Sequence, residues 1–126
     1  MMKQNNILVV DDELLIRDLI YDFFNEREWD VTIVDNGEKA LRAFENGDFN
    51  VVLTDLKMPE MDGATLIDRM KEVKPDQPIV VVTGYPSVDS AIRALQQRVD
   101  DYIVKPFSMP KLFKSVERAA SRSNDA

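Results

Sequence analysis

The chain contains no cysteine and no histidine among its 126 residues. The absence of cysteine excludes disulfides, thiolate metal sites and cysteine nucleophiles, and it is typical of a cytoplasmic protein. The absence of histidine excludes imidazole bases, imidazole metal ligands and a role as a carrier of phosphohistidine. Any chemistry must therefore use carboxylates, hydroxyls, lysine or arginine.

Long apolar runs and an excess of positive charge are also lacking. No hydrophobic stretch approaches the roughly 20 residues of a membrane span, and the first residues, MMKQNN, contain no signal-peptide core. The formal net charge of −7 predicts repulsion from nucleic acid. We therefore expect a domain that binds neither membranes nor nucleic acid directly. The basic residues near the C-terminus are spaced like a solvated helix face: Lys111, Lys114, Arg118 and Arg122.

Five short apolar runs alternate with amphipathic stretches. The runs lie at 7–10, 31–34, 51–54, 79–82 and 102–104, and helical periodicity follows each of them. Uniform Val/Ile runs are typical of parallel strands that are covered on both faces. The pattern predicts an α/β fold, a flavodoxin-like (βα)5 doubly wound parallel sheet with strand order 2-1-3-4-5. We expect one domain over residues 1–120, and a polar tail or the start of a linker over 121–126.

Four of the five predicted strands end in polar groups. Asp11 and Asp12 follow the first strand, Asp55 the third, Thr83 the fourth and Lys105 the fifth. The carboxyl ends of the strands form the ligand crevice of an open parallel sheet, so these groups should converge. Clustered carboxylates repel one another, and Mg²⁺, which prefers oxygen ligands, would relieve the repulsion. An ammonium and a hydroxyl beside them suit phosphoryl oxygens, and a carboxylate is a competent nucleophile for phosphoryl transfer.

Four motifs in this order resemble the receiver domains of two-component response regulators. They are DD at 11–12, DLKMPEMDG from 55, TG at 83–84 and DYIVKPF from 101. Each motif alone is weak, but their order and placement are highly specific, and the resemblance covers nearly the whole chain. The stretch TGYPSVDSAIRAL is similar to receivers of nitrogen-regulator-type transcriptional activators. The resemblance implies a CheY-like phosphorelay protein that is not a conventional enzyme.

The resemblance also implies roles for the acidic residues. Asp55 would accept a phosphoryl group from a phosphohistidine on a sensor histidine kinase. Asp12 would bind Mg²⁺ directly and Asp11 mainly through ordered water. Asp55 and the backbone carbonyl of Lys57 would complete the protein's share of the coordination.

A second set of residues would sense the phosphoryl group. Lys105 and Thr83 would each bind a phosphoryl oxygen, and Tyr102 would turn inward when Thr83 moves. The Lys105–Pro106 bond resembles the family's cis peptide. The readout surface would be the fourth helix, the fifth strand and the fifth helix, acting on an output domain or a downstream protein. A homodimer through this surface stays open.

Two other interpretations stay open at this point. A haloacid-dehalogenase-type phosphatase also forms an aspartyl phosphate, but it has Asp-x-Asp after the first strand, where this chain has Asp-Asp-Glu. A pseudo-receiver would be an interaction module that is never phosphorylated, and it usually lacks one of the acceptor, acidic or lysine residues that are present here.

Several positions depart from the commonest pattern of the family or have only minor predicted roles. Lys57 and Tyr85 lie two residues after Asp55 and Thr83, at positions that vary in the family and overlook the site. A cation and a bulky ring there affect the approach of water to the phosphoryl group, so we expect slower self-dephosphorylation than with small residues. Arg98 stands in a loop where many receivers have a small residue.

Glu13 and Asp62 are interpreted as solvated or capping residues, and Trp29 as covering the edge of the sheet. Ser87 and Ser108 are expected to cap the starts of the fourth and fifth helices.

Overall fold

The computed structural model describes residues 5–124, which form a single sheet flanked by helices. Five parallel strands lie in the order β2-β1-β3-β4-β5, which confirms the predicted flavodoxin-like architecture. No helix within these residues is long and apolar enough to cross a membrane. The elements are β1 (Asn6–Val10), α1 (Leu14–Glu26), β2 (Asp30–Val34), α2 (Gly37–Glu45), β3 (Val51–Asp55), α3 (Gly63–Val73), β4 (Ile79–Thr83), α4 (Val88–Gln96), β5 (Asp101–Val104) and α5 (Met109–Asn124).

Both faces of the sheet are buried, because successive side chains of a strand point to opposite sides. In β1, Ile7 and Val9 pack with residues of α1 and α5, whereas Leu8 and Val10 pack with residues of α2 and α3. β3 and β4 are buried at every position. This burial is the physical reason why the strands are continuous apolar runs without polar alternation.

Side-chain caps set the start of several helices. The Ser87 hydroxyl accepts a hydrogen bond from the Ser90 amide at the start of α4, as predicted. The Ser108 hydroxyl accepts one from the Lys111 amide at the start of α5. These bonds satisfy amide groups that the first turn of a helix leaves unpaired. The predicted cap positions therefore agree with the structure.

α5 is longer than the sequence pattern predicted. It continues past the predicted domain end at residue 120 to Asn124. The guanidinium of Arg122 donates to both carboxylate oxygens of Asp100, at 2.8 and 3.0 Å, which anchors the last turns to the loop before β5. Residues 121–124 are thus helical, although their composition is that of a polar tail, and residues 125–126 lie outside the described part of the chain.

Trp29 lies deeper than its predicted position over the edge of the sheet. It is 4% exposed and belongs to the core between the sheet, α1 and α5. Its ring meets that of Phe24 edge-on at 5.2 Å and that of Phe113 at 5.8 Å. The turn after α1 directs the chain back toward that helix, with Glu28 at a φ of 65° and the Trp29 amide bonded to the Phe24 carbonyl.

Candidate functional site

The carboxyl end of the sheet brings together three of the predicted site residues. Asp11 follows β1, Asp55 is the last residue of β3, and Lys105 follows β5. Asp11 and Asp55 continue the alternating rows of Val9 and Leu53, which face α1 and α5. The two carboxylates consequently emerge on the same side of the sheet as the lysine that they contact.

The Lys105 ammonium lies at the centre of this site. Its Nζ is 2.8 Å from Asp55 Oδ2 and 3.0 Å from Asp11 Oδ2, and the lysine side chain is only 12% exposed. Nζ also lies 2.8 Å from Glu13 Oε1. The interpretation of Glu13 as merely solvated or capping was therefore incomplete: it is the first residue after the acidic pair, and the uninterrupted run Asp-Asp-Glu was the only local signal of its involvement.

Burial and ion pairing act in opposite directions on these groups. Burial disfavours the charged form of Lys105, but the hydrogen bonds to Asp55, Glu13 and Asp11 outweigh it and raise the pKa of the lysine above its ordinary value. Burial also raises the pKa of Asp11, against the opposing effects of the Glu13 amide and Lys105. The lysine is thus firmly cationic and supplies a permanent positive charge beside Asp55.

Backbone groups of the loop after β3 fix the position of Asp55. Asp55 Oδ1 accepts a hydrogen bond from the Lys57 amide at 3.1 Å, and the Gly63 amide donates to the Leu56 carbonyl at 2.8 Å. A Cβ atom at Gly63 would lie 2.1 Å from the Asp55 carbonyl oxygen, so only glycine fits there. Asp62, just before Gly63, caps the start of α3, because its carboxylate accepts a hydrogen bond from the Thr65 amide.

A cavity of about 460 Å³ opens in front of Asp55. Lys57 and Tyr85 stand at its exposed side, and Lys57 Nζ lies 4.2 Å from the centroid of the Tyr85 ring. The two positions predicted to overlook the acceptor are therefore in contact with each other. The other lining residues are Asp12, Glu13, Met58, Pro59, Gly84 and Lys105.

The acidic groups are arranged as a cation would require. Oxygens of Asp11, Asp12 and Asp55 all lie within 4.8 Å of one another. The donors are carboxylate oxygens, which hard divalent cations such as Mg²⁺ prefer, and Asp12 is exposed, which leaves room for the water that Mg²⁺ retains. The residues present therefore fit a hard divalent cation.

The two predicted switch residues lie outside the lysine network. Thr83 is buried, and its hydroxyl accepts a hydrogen bond from the Tyr85 amide at 3.0 Å. It continues the row of Val81, whose register partner on β5 is Tyr102, so Thr83 and Tyr102 share the face of the sheet opposite to Asp55. The Tyr102 hydroxyl lies 2.6 Å from the Ser90 hydroxyl of α4. The Lys105–Pro106 peptide bond is cis, as predicted.

The chain is similar to a known domain family and to proteins of known structure. Residues 7–117 match the response regulator receiver domain family. The chain is similar to a CheY-like receiver domain protein from Methanospirillum hungatei, with a TM-score of 0.92 and 28% identity over 96% of this chain and 97% of that one. It is also similar to the response regulator TrrA from Thermotoga maritima, solved in complex with Mg²⁺-BeF, with a TM-score of 0.83 and 31% identity over 92% of this chain and 99% of that one.

Curated relatives are longer regulators. The chain is 36% identical over 115 residues to the regulatory protein AtoC of Escherichia coli, covering 91% of this chain and 25% of that protein. It is 33% identical over 120 residues to the transcriptional regulator NtrC of Escherichia coli, covering 95% of this chain and 26% of that protein. The chain thus spans about a quarter of the length of these relatives. It belongs to the receiver domain family of response regulators, the phosphoryl-accepting signalling switches of two-component systems.

Proposed function

We propose that Asp55 is the phosphoacceptor of this receiver and that a sensor histidine kinase is its phosphodonor. One observation carries the assignment: Asp55 is an almost buried carboxylate that borders the cavity and lies 2.8 Å from the Lys105 ammonium. Asp11 also contacts the lysine, at 3.0 Å, but it does not line the cavity. Asp12 lines the cavity but is exposed. Of these three carboxylates, Asp55 is the one that combines burial, a cationic partner and access to the cavity.

The transfer uses groups of this chain in defined roles. A carboxylate oxygen of Asp55 attacks phosphorus, an O–P bond forms, and the P–N bond to the donor imidazole breaks, with the electron pair returning to the imidazole nitrogen. Lys105 places its positive charge beside the phosphoryl oxygens, and the Thr83 hydroxyl donates a hydrogen bond to another of them. The domain would catalyse its own phosphorylation and the later hydrolysis of the aspartyl phosphate, in which water takes up the phosphoryl group and inorganic phosphate leaves. It is not a conventional enzyme that turns over a separate substrate.

Mg²⁺ is the proposed cofactor, held by Asp11, Asp12, Asp55 and the backbone carbonyl of Lys57. Its positive charge would offset both the clustered carboxylates and the charge on the transferred phosphoryl group. The clustering of the three carboxylates supports this proposal. The complex of the related TrrA with Mg²⁺-BeF supports it as well.

The switch would transmit phosphorylation from Thr83 to α4. When Thr83 turns to the phosphoryl group, Tyr102 would give up its hydrogen bond to Ser90 and move inward. This movement would shift a pre-existing equilibrium between an inactive and an active conformation of the surface formed by α4, β5 and α5. That surface would act on an output domain or a downstream protein in the cytoplasm, as a homodimer or as a monomer.

The experiment is intact-protein mass spectrometry after incubation with acetyl phosphate, with and without Mg²⁺. We expect a single phosphoryl adduct that requires Mg²⁺ and is absent from Asp55→Asn. Asp48→Asn is the matched control, because Asp48 also pairs with a lysine, at 2.6 Å from Lys74 Nζ, but is exposed. An adduct that persists in Asp55→Asn, or no adduct in the unmodified chain, would contradict the proposal.

A further inference from the structure

Glu13 accepts one of the three hydrogen bonds that the Lys105 ammonium donates. An ammonium has three N–H donors. In this structure one points to each of Asp11, Asp55 and Glu13, at 3.0, 2.8 and 2.8 Å. The lysine therefore has no free donor for a further anion, and a phosphoryl oxygen can bind it only if one of these hydrogen bonds is exchanged.

Glu13 differs from the other two partners in burial and in surroundings. Its side chain is 58% exposed, whereas those of Asp11 and Asp55 are 1% and 6% exposed. Release of an exposed carboxylate costs little because water solvates it at once, whereas a buried carboxylate left without its partner is costly. Asp11 and Asp55 also belong to the carboxylate cluster that fits a cation, and Glu13 does not. Glu13 is thus the partner whose hydrogen bond to Lys105 can be exchanged at the lowest cost.

We propose that Glu13 is a positioning residue that competes with the phosphoryl group for Lys105. The inference rests on the proposed function, since it concerns the lysine beside the phosphoacceptor. In the unphosphorylated domain, Glu13 holds the ammonium at the rim of the cavity. On phosphorylation, the N–H···O bond to Glu13 breaks and one to a phosphoryl oxygen replaces it. Glu13 thereby weakens the binding of the phosphoryl group and lowers the fraction of domains in the active state.

Beryllofluoride at saturating Mg²⁺ is the probe, and its affinity is measured by titration calorimetry. Glu13→Gln removes the charge. Glu13→Asp keeps the charge but shortens the side chain by one methylene group, and we expect it to lose the hydrogen bond to Lys105. We expect about fivefold tighter binding for Glu13→Gln and about two- to threefold for Glu13→Asp, in the range of a half-exposed ion pair. Glu26→Gln is the matched control, because it makes the same charge change at the exposed last residue of α1, and its affinity should not change.

A second measurement follows the lysine itself without Mg²⁺ or beryllofluoride. The ¹⁵Nζ resonance of Lys105 should show faster hydrogen exchange in Glu13→Asp than in the unmodified chain, because one of its three hydrogen bonds is lost. A purely structural role of Glu13 would change the unfolding midpoint without changing this signal selectively.

The outcomes separate this inference from the proposed function. No beryllofluoride binding by the unmodified chain would overturn the proposed function. Binding by the unmodified chain with equal or weaker affinity in both Glu13 variants would overturn the role of Glu13 alone. Tighter binding in Glu13→Gln with unchanged binding in Glu13→Asp would also overturn it, because the effect would then be one of net charge.

Discussion

Lys57 Nζ lies 4.2 Å from the centroid of the Tyr85 ring, so a cation and an aromatic ring meet at the mouth of the cavity in front of Asp55. Lys57 comes from the loop after β3 and Tyr85 from the loop after β4. Their contact narrows the approach to Asp55 from solvent. The sequence could place both residues near the site, but their contact depends on how the two loops are folded.

This contact leads to a prediction about the lifetime of the aspartyl phosphate. We expect the double variant Lys57→Asn/Tyr85→Ala to lose the phosphoryl group about two- to fivefold faster, since an exposed cation–π pair contributes about 0.5–1 kcal/mol that water must overcome to reach phosphorus. Loss of the phosphoryl adduct with time is followed by mass spectrometry. Tyr21→Ala, at an exposed ring of α1, is the control. Equal lifetimes in the double variant and the unmodified chain would refute the prediction.

Gly63 is predicted to tolerate no side chain. An added Cβ would lie 2.1 Å from the Asp55 carbonyl oxygen and 2.7 Å from the Leu56 Cα, so the backbone that carries the acceptor must shift. We expect Gly63→Ala to lower the free energy of unfolding by about 1–3 kcal/mol, as overpacking does, and to slow phosphorylation by acetyl phosphate. Urea denaturation and mass spectrometry measure the two effects. At Gly47 the nearest atom would be 3.4 Å away, so Gly47→Ala should change the stability less, and equal effects of the two substitutions would contradict the steric explanation.

Arg98 adopts a backbone conformation that favours glycine. Its φ is 59°, in the loop between α4 and β5 where the sequence already departs from the commonest family pattern. We expect Arg98→Gly to raise the free energy of unfolding by about 0.5–1 kcal/mol, because the strain of a left-handed residue with a Cβ exceeds the entropy that glycine adds to the unfolded chain. Arg98→Ala keeps the Cβ and should bring no such gain. The measurement is the urea midpoint of both variants, and a stabilisation by alanine equal to that by glycine would exclude strain as the cause.

Asp68 fastens α4 to α3. Its carboxylate accepts hydrogen bonds from Gln97 at 2.7 Å and from Arg93 at 2.9 Å, and Ala94 is the only fully buried residue of α4 among those described. We expect Asp68→Ala to speed amide hydrogen exchange in α4 several-fold, with a loss of at most about 1 kcal/mol in global stability because the contacts are half-exposed. Glu72→Ala is the control, because Glu72 is an exposed residue of α3, the helix that carries Asp68. Unchanged exchange in α4 would show that other contacts hold the helix.

The contact of Asp68 with Arg93 and Gln97 predicts that the protection of the α4 amides from exchange depends on pH. The hydrogen bond from Gln97, with a further contribution from Arg93, lowers the pKa of Asp68 below its ordinary value. A carboxyl group with a depressed pKa in the folded state stabilises the fold above its unfolded pKa and loses that contribution as the pH falls through the folded value. Protection of the α4 amides should therefore persist at neutral pH and decrease only in acid. A loss of protection already near neutrality would contradict this assignment.

Much of the fold follows from patterns that are local in the chain. The apolar runs predict buried strands because a parallel sheet covered on both faces requires apolar side chains at every position, as in β3 and β4. The hydroxyls of Ser87 and Ser108 predict helix starts because they bond to amides only three residues away. Asp11, Asp55 and Lys105 were predictable as neighbours because parallel strands end at the same edge of the sheet.

Only the tertiary structure decided which of these groups touch. Glu13 and Lys105 are 92 residues apart in sequence, and their contact depends on how α1 and the loop after β5 are placed. Thr83 is the last residue of its strand, as Asp55 is, yet the register of β4 and β5 places it on the face of Tyr102. The helicity of residues 121–124 likewise depends on the distant carboxylate of Asp100. Residue types and strand order thus determined which chemical groups are available at the edge of the sheet. Side-chain alternation and long-range packing decided which of these groups contact one another. The reason is that a local sequence pattern carries no information about contacts between distant segments.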